Sequence, residues 1–215
     1  MLSGSMPIDL SGYVYETLRT DKEFGLYRAR REGDPSTFLV LAPFSEYPSL
    51  GNLARLEHAY SLRDDLDSEW AVRPLALTRR EGLMVLVCED PGGELLERLL
   101  GKAMELGRFL RLAVNLAAAL GKLHQRGLIH KDIKPASILV DSATDRVWLT
   151  GFGIASRLPR ERQAAEPPQV IAGTLAYMSP EQTGRMNRSI DSRSDLYSLG
   201  ATARFIVPIR ADSPS

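Results

Sequence analysis

Cysteine is almost absent from this chain: Cys88 is the single one among 215 residues. No internal disulfide can form, and such usage fits a reducing compartment. Net charge is absent as well, with 27 basic residues against 27 acidic ones. That balance gives no electrostatic reason to expect nucleic acid as the main partner. Long apolar runs are missing too. The longest candidate, Leu112 to Leu120, is interrupted by Asn115, and a membrane span needs roughly 18 residues. Met1 to Leu10 has no basic n-region and no apolar h-region, so it does not read as a signal peptide. His58, His124 and Cys88 lie far apart and show no metal-ligand spacing. The expectation is a soluble cytoplasmic protein without a membrane partner. Its length suffices for one large or two small lobes around a real core.

What is present divides at Asp90-Pro91-Gly92-Gly93, a break that reads as a hinge. Before it, residues 13–90 read as a small strand-rich lobe, preceded by an N-terminal extension over 1–12. Thr37 to Leu41 is a short buried-strand pattern, and Val72 to Leu77 and Leu83 to Cys88 are two more, with Arg79 to Gly82 as their turn. Leu50 to Leu66 is helix-compatible, with Leu53, Leu56, Tyr60 and Leu62 as an apolar stripe. After the break, residues 91–207 read as a mainly helical lobe. Leu112, Leu116, Leu120 and Leu123 recur at helical spacing, widened by Leu110, Val114 and Ala117, and Gly127 ends that helix. Ile138 to Val140 and Arg146 to Thr150 flank a hairpin turn. Residues 154–172, rich in Arg, Gln, Ala and Pro, read as an exposed loop. A last helix starts near Asp195 and meets Pro208, which no helix interior tolerates well. Residues 208–215 read as a polar tail, so the second lobe is expected to be incomplete.

Several motifs follow one another in a specific order. The first is His130-Lys131-Asp132-Ile133-Lys134-Pro135-Ala136-Ser137, and Gly151-Phe152-Gly153 comes after the hairpin. Gly173 to Glu181 and Ser194-Asp195-Leu196-Tyr197-Ser198-Leu199-Gly200 complete the series. In this order the chain resembles the eukaryotic-type serine/threonine protein kinase family from about Gly12 to Gly200. The run Thr183 to Asp191 is similar to a bacterial subgroup found at the head of large signalling proteins. The resemblance implies an α+β, two-lobed kinase-like fold, with a small β-rich lobe and a mainly helical one that lacks its last helices.

The same resemblance assigns roles. Asp132 stands where the family has its catalytic base, and Lys134 where a cation meets the transferring phosphate. Four other positions depart from the pattern. Gly151 replaces the metal-binding Asp, and Ser137 replaces the Asn that holds a second ion; a serine hydroxyl is a weak, short ligand. The strand lysine is replaced by Leu41, because no lysine occurs between Lys22 and Lys102. The helical glutamate that would pair with it is replaced by Ala59, and Glu57 lies about 200° away round the helix. The glycine-rich loop is reduced to Gly25 among Asp21, Lys22, Glu23 and Phe24. One glycine cannot bring successive N–H groups to phosphates, and the acids repel them. Gly25 and Glu89 remain as weak nucleotide-binding candidates; Glu89, Asp90 or Asp141 can be proposed as stand-in acids, but none matches a metal position of the family. His130, Phe152, Glu181 and Asp195 are expected to be structural, with Glu181 lacking its usual arginine partner. No Ser or Thr lies between Ser156 and Thr174, so no phosphorylation switch is expected there.

Three readings follow. The first is a catalytically silent pseudokinase that binds a protein partner or a neighbouring signalling module, with no cofactor. The second is a weak ATP-dependent serine/threonine kinase using Asp132 and Lys134, which alone would call for ATP and magnesium. The third is a truncated fragment without settled function. Losses that all fall on metal-nucleotide handling favour the first.

Overall fold

The structure, a computed structural model, describes Leu10 and residues 12–101, 104–157, 174–184 and 189–206. Most of the N-terminal extension, the stretch 158–173 that holds most of the expected loop, residues 185–188 and Val207 with the tail 208–215 lie outside the described residues. The chain forms two compact units. One runs to Gly92 and includes Gly151–Gly153; the other comprises Gly93–Thr150 and the residues from Ile154 on. The chain adopts the α+β class expected from its sequence.

The first unit is a five-stranded antiparallel sheet with one helix. Its strands are β1 (Tyr13–Thr20), β2 (Phe24–Arg31), β3 (Thr37–Pro43), β4 (Pro74–Arg80) and β5 (Leu83–Glu89), in the order β1-β2-β3-β5-β4. Strand periodicity separates two apolar sets. Ala29, Val40, Val85 and Val87 gather on one face with Ala76 and Leu10, flanked by Tyr13, Tyr15, Phe38 and Ala42. Leu26, Leu39, Leu86 and Cys88 alternate with them and are buried on the other face. Burying each such leucine contributes roughly 1.5–3 kcal/mol. Helix α1 (Leu50–Ser61) packs on β4 and β5 through the buried Leu56 and Ala59. Ser49 caps it by accepting a hydrogen bond from the Asn52 N–H at 3.1 Å.

Two local expectations are corrected in this unit. The helix ends at Ser61 rather than near Leu66, because Leu62 serves as its C-cap and residues 62–65 turn. The fourth strand starts at Pro74 and absorbs Arg79 and Arg80, which the sequence suggested as turn. Arg80 pairs directly with Leu83, and Glu81 and Gly82 take φ values of 52° and 85°. Two residues with positive φ complete a tight hairpin without further help.

The second unit is built around α2 (Leu106–Gln125) and α3 (Ser192–Ile206). Short strands β6 (Glu94–Leu95), β8 (Ile138–Val140) and β9 (Val147–Leu149) form one sheet, and β7 (Leu128–Ile129) pairs with β10 (Ser156–Arg157). Glu105 caps α2 by accepting from the Gly107 and Arg108 N–H groups at 2.8 and 2.9 Å. Gly127, at φ 71°, follows its last turn as anticipated. The buried face of α2 is Leu112, Leu116, Ala119, Leu120 and Leu123. Leu110, Val114 and Ala117 do not widen it: Leu110 and Val114 are 52% and 65% exposed, and Ala117 is exposed as well. Those positions lie on the side of the helix turned away from β7, β9 and α3, which cover the core face. The stretch from residue 154 is also not wholly a loop, since a 3-10 turn over Phe152–Ile154 leads into β10. Gly93 has φ 74°, and a side chain there would collide with the Val140 carbonyl. No helix among the described residues is long and apolar enough to cross a membrane.

Candidate functional site

The second unit carries a dense polar cluster around the loop that follows β7. Its anchor is Asp195, fully buried in the first turn of α3. The Asp195 carboxylate accepts from the His130 N–H and the Lys131 N–H, both at 2.8 Å, and lies 2.9 Å from His124 Nε2. These bonds hold Lys131 at φ 69°, a left-handed conformation uncommon for a residue with a side chain. The loop is thereby turned so that Asp132 and Lys134 face the same way.

His130 is fully buried. Its Nδ1 accepts from the Asp132 N–H at 3.2 Å, and its Nε2 lies 2.9 Å from the Thr150 carbonyl oxygen. Burial pushes the imidazole pKa below 6.5, against the opposite pull of Asp195 and Asp132. The neutral tautomer with hydrogen on Nε2 satisfies both contacts. Lys131 is half-buried, and its ammonium pKa is lowered by desolvation despite the nearby Asp195 charge.

Asp132 and Lys134 meet directly, with Nζ 2.7 Å from Oδ2. Thr174 completes the group. Its N–H and hydroxyl lie 3.1 and 3.3 Å from Asp132 Oδ1, and the Lys134 ammonium donates to its hydroxyl oxygen at 2.7 Å. Both charged side chains are about one-sixth exposed, Asp132 at 17% and Lys134 at 16%, so the pair is shielded but reachable. Such a group can orient a hydroxyl, accept its proton and place a cation beside an anion.

Segment 174–184 is held by Gln182, which lies outside the motifs, and by two serines of α3. Gln182, 3% exposed, donates to the Lys131 carbonyl at 2.7 Å and accepts from Ser179 through both its N–H and hydroxyl at 3.1 Å. Ser198 donates to the Tyr177 carbonyl at 2.7 Å. Ser194 donates to Glu181 Oε1 at 2.6 Å. Burial alone would raise the Glu181 pKa, and the hydrogen bonds led by Ser194 outweigh it and lower it. Glu181 thus has a hydroxyl partner. The spacing of Ser194 and Ser198, one turn apart on a helix face, was the signal available in the sequence.

The positions assigned to nucleotide and metal handling are built differently. Leu41 lies in β3 opposite Leu26 and Leu86, and Ala59 is buried on α1. Glu57 is exposed, as its position round the helix predicts. Gly25 pairs with Thr20 in the β1–β2 hairpin, and the Tyr27 ring lies against it where any side chain would stand. The turn consumes its own donors: Asp21 Oδ1 accepts from the Glu23 and Phe24 N–H groups at 2.8 and 2.7 Å. Desolvation opposes ionisation of Asp21, but these bonds and Arg19 lower its pKa.

The stand-in acids are also occupied. Glu89 lies 3.4 Å from Arg73 Nη1. The Asp90 side chain is wholly buried and accepts from Arg28 at 2.6 and 3.2 Å and from the Gly92 N–H at 2.9 Å. Asp141 closes its own turn onto Ala143 and Thr144 at 2.9 and 2.7 Å. Gly151 has φ 86°, Phe152 is 3% exposed and Ser137 is 1% exposed. No cluster of metal-binding side chains occurs among the described residues. At Gly151 a metal ion would meet no side-chain oxygen, and among the described residues the candidate acids Glu89, Asp90 and Asp141 already have partners.

The pattern described as protein kinase domain matches residues 57–207. The chain is 37% identical over 111 residues to the serine/threonine-protein kinase PknB of Mycobacterium tuberculosis, which covers 50% of this chain and 17% of that protein. It is 45% identical over 94 residues to the serine/threonine-protein kinase AfsK of Streptomyces griseus, covering 44% and 11%. It is 32% identical over 135 residues to the probable serine/threonine-protein kinase SCO3848 of Streptomyces coelicolor, covering 60% and 20%. The chain therefore spans a fifth or less of the length of these relatives.

Proposed function

The chain belongs to the protein kinase domain family, and from that premise we propose that it is a catalytically silent member, a pseudokinase, acting as a protein-binding module in signalling. One observation carries the reading: the phosphate- and metal-handling positions hold Leu41, Ala59, Ser137 and Gly151, which supply neither a cation nor a carboxylate. Phosphoryl transfer depends mostly on positioning and charge neutralisation. Apart from Lys134, the positions that would neutralise the charge or hold the metal are the ones replaced, while the scaffold bonds around Asp195 are kept. The partner is another protein or a neighbouring module of a longer cytoplasmic signalling chain, and neither nucleic acid nor membrane has a part.

A thermal-shift titration with ATP, with and without magnesium, tests this. The expected result is no shift in either condition. A shift that requires magnesium would overturn it and support a second reading, a weak serine/threonine kinase. What favours that second reading is the Asp132–Lys134–Thr174 geometry, with contacts of 2.7 to 3.3 Å. In that case Asp132→Ala would abolish phosphate transfer while leaving the fold in place.

A further inference from the structure

With Leu41 and Ala59 apolar, the strand and helix of the first unit have no ion pair between these two positions. A different pair lies nearby, with its charges reversed. Glu23 projects from the β1–β2 turn, and Arg55 from α1 one turn before Ala59. Arg55 Nη1 donates to Glu23 Oε2 at 2.7 Å. Here the cation is on the helix and the anion is on the turn.

Both partners are fixed before they meet. The Glu23 N–H is held by Asp21 Oδ1 at 2.8 Å, and its carbonyl accepts from the Phe44 N–H at 2.9 Å. The turn that carries Glu23 is thus tied to the end of β3. On the other side, the backbone and stem of Arg55 lie against Gly153. A Cβ added to Gly153 would come within 3.2 Å of Arg55 Cβ and 3.4 Å of the Arg55 carbonyl oxygen. The glycine lets the helix approach this closely, and the helix position aims the guanidinium at the turn.

We propose that Glu23 and Arg55 form a charge-reversed latch that docks α1 onto the β1–β2 turn, in place of the strand-lysine to helix-glutamate pair this chain has lost. The latch needs no nucleotide to form. The side chains are 33% and 50% exposed, so the pair is screened and acts on a local equilibrium rather than on global stability. An exposed pair of this kind shifts such an equilibrium by about two- to five-fold.

Amide hydrogen exchange of the full chain without nucleotide is the test, so its outcome is independent of whether ATP binds. Glu23→Gln and Arg55→Gln should each speed exchange in the α1 amides by about two- to five-fold. The double variant should add nothing further. The swapped pair, Glu23→Arg with Arg55→Glu, should restore the slow rate, and 1 M salt should erase the difference, because the screening length falls to about 3 Å. Glu57→Gln, on the exposed side of the same helix, should exchange like the parent. Single variants with parental exchange, or a swap that fails to restore it while far-UV circular dichroism remains native, would overturn the latch.

Discussion

Asp195→Ala should destabilise the second unit more than any other single polar-to-alanine change within it. The buried carboxylate accepts from two backbone N–H groups at 2.8 Å and contacts His124 Nε2 at 2.9 Å. Lys131 is half-buried, so water can take over part of its N–H bond. His130 is fully buried and cannot be rehydrated without opening the core. A hydrogen bond to a charged acceptor contributes about 1.5–3 kcal/mol, and leaving a buried donor unpaired costs about 1–3 kcal/mol. The expected loss is about 3–5 kcal/mol, a large share of the roughly 5–15 kcal/mol typical of a whole domain. With a urea slope of about 2–3 kcal/mol per molar, the midpoint should fall by about 1–2 M. Asp195→Asn keeps one acceptor oxygen and should lose about half as much. Trp148 is 4% exposed in β9 and reports on this unit once the other tryptophan is removed by Trp70→Phe. Urea titration of Trp148 fluorescence in that background is the assay. A midpoint for Asp195→Ala within about 0.3 M of its parent would refute the reasoning, since at the same slope it would mean a loss of under about 1 kcal/mol.

Two further outcomes are expected. Burial, helped by the Glu89 charge, pushes the Cys88 thiol up to about 12. At pH 8 the native thiol should therefore react with a disulfide reagent at least about a thousand-fold more slowly than a free thiol, and normally once urea unfolds the chain. Native modification within tenfold of the free rate would contradict this. His130 has its folded pKa lowered from 6.5, so the unfolded chain binds more protons in the window below 6.5. Its contribution to stability is complete above about 6.5, shrinks below that, and is lost once pH falls through the folded value. His130→Asn should flatten the dependence of the urea midpoint over that window, and an unchanged slope would contradict the assignment.

Much of this protein was written in local sequence. The short buried-strand run Thr37 to Leu41 and the Leu112-Leu116-Leu120-Leu123 spacing need only neighbouring residues, because backbone period dictates which side chains share a face. The break at residues 90–93 and the helix stop at Gly127 were legible because glycine takes positive φ at little cost. That Leu41, Ala59, Ser137 and Gly151 carry no charged side chain was equally plain, since the absence of a functional group does not depend on fold.

What sequence left open depended on contacts between distant residues. Leu110 and Val114 have the same composition cues as the buried leucines, and only the placement of β7, β9 and α3 decides which side of α2 is covered. Glu89, Asp90 and Asp141 were equal candidates as free acids until Arg73, Arg28 and the turn at 143–144 claimed them. Gln182 lies outside the motifs and Ser198 was given no role within its own, yet they hold the segment beside Asp132. The Glu23–Arg55 pair joins residues 32 positions apart. A sequence lists such charges, but hydrogen bonds act over about 3 Å, so only the folded chain determines which of them meet.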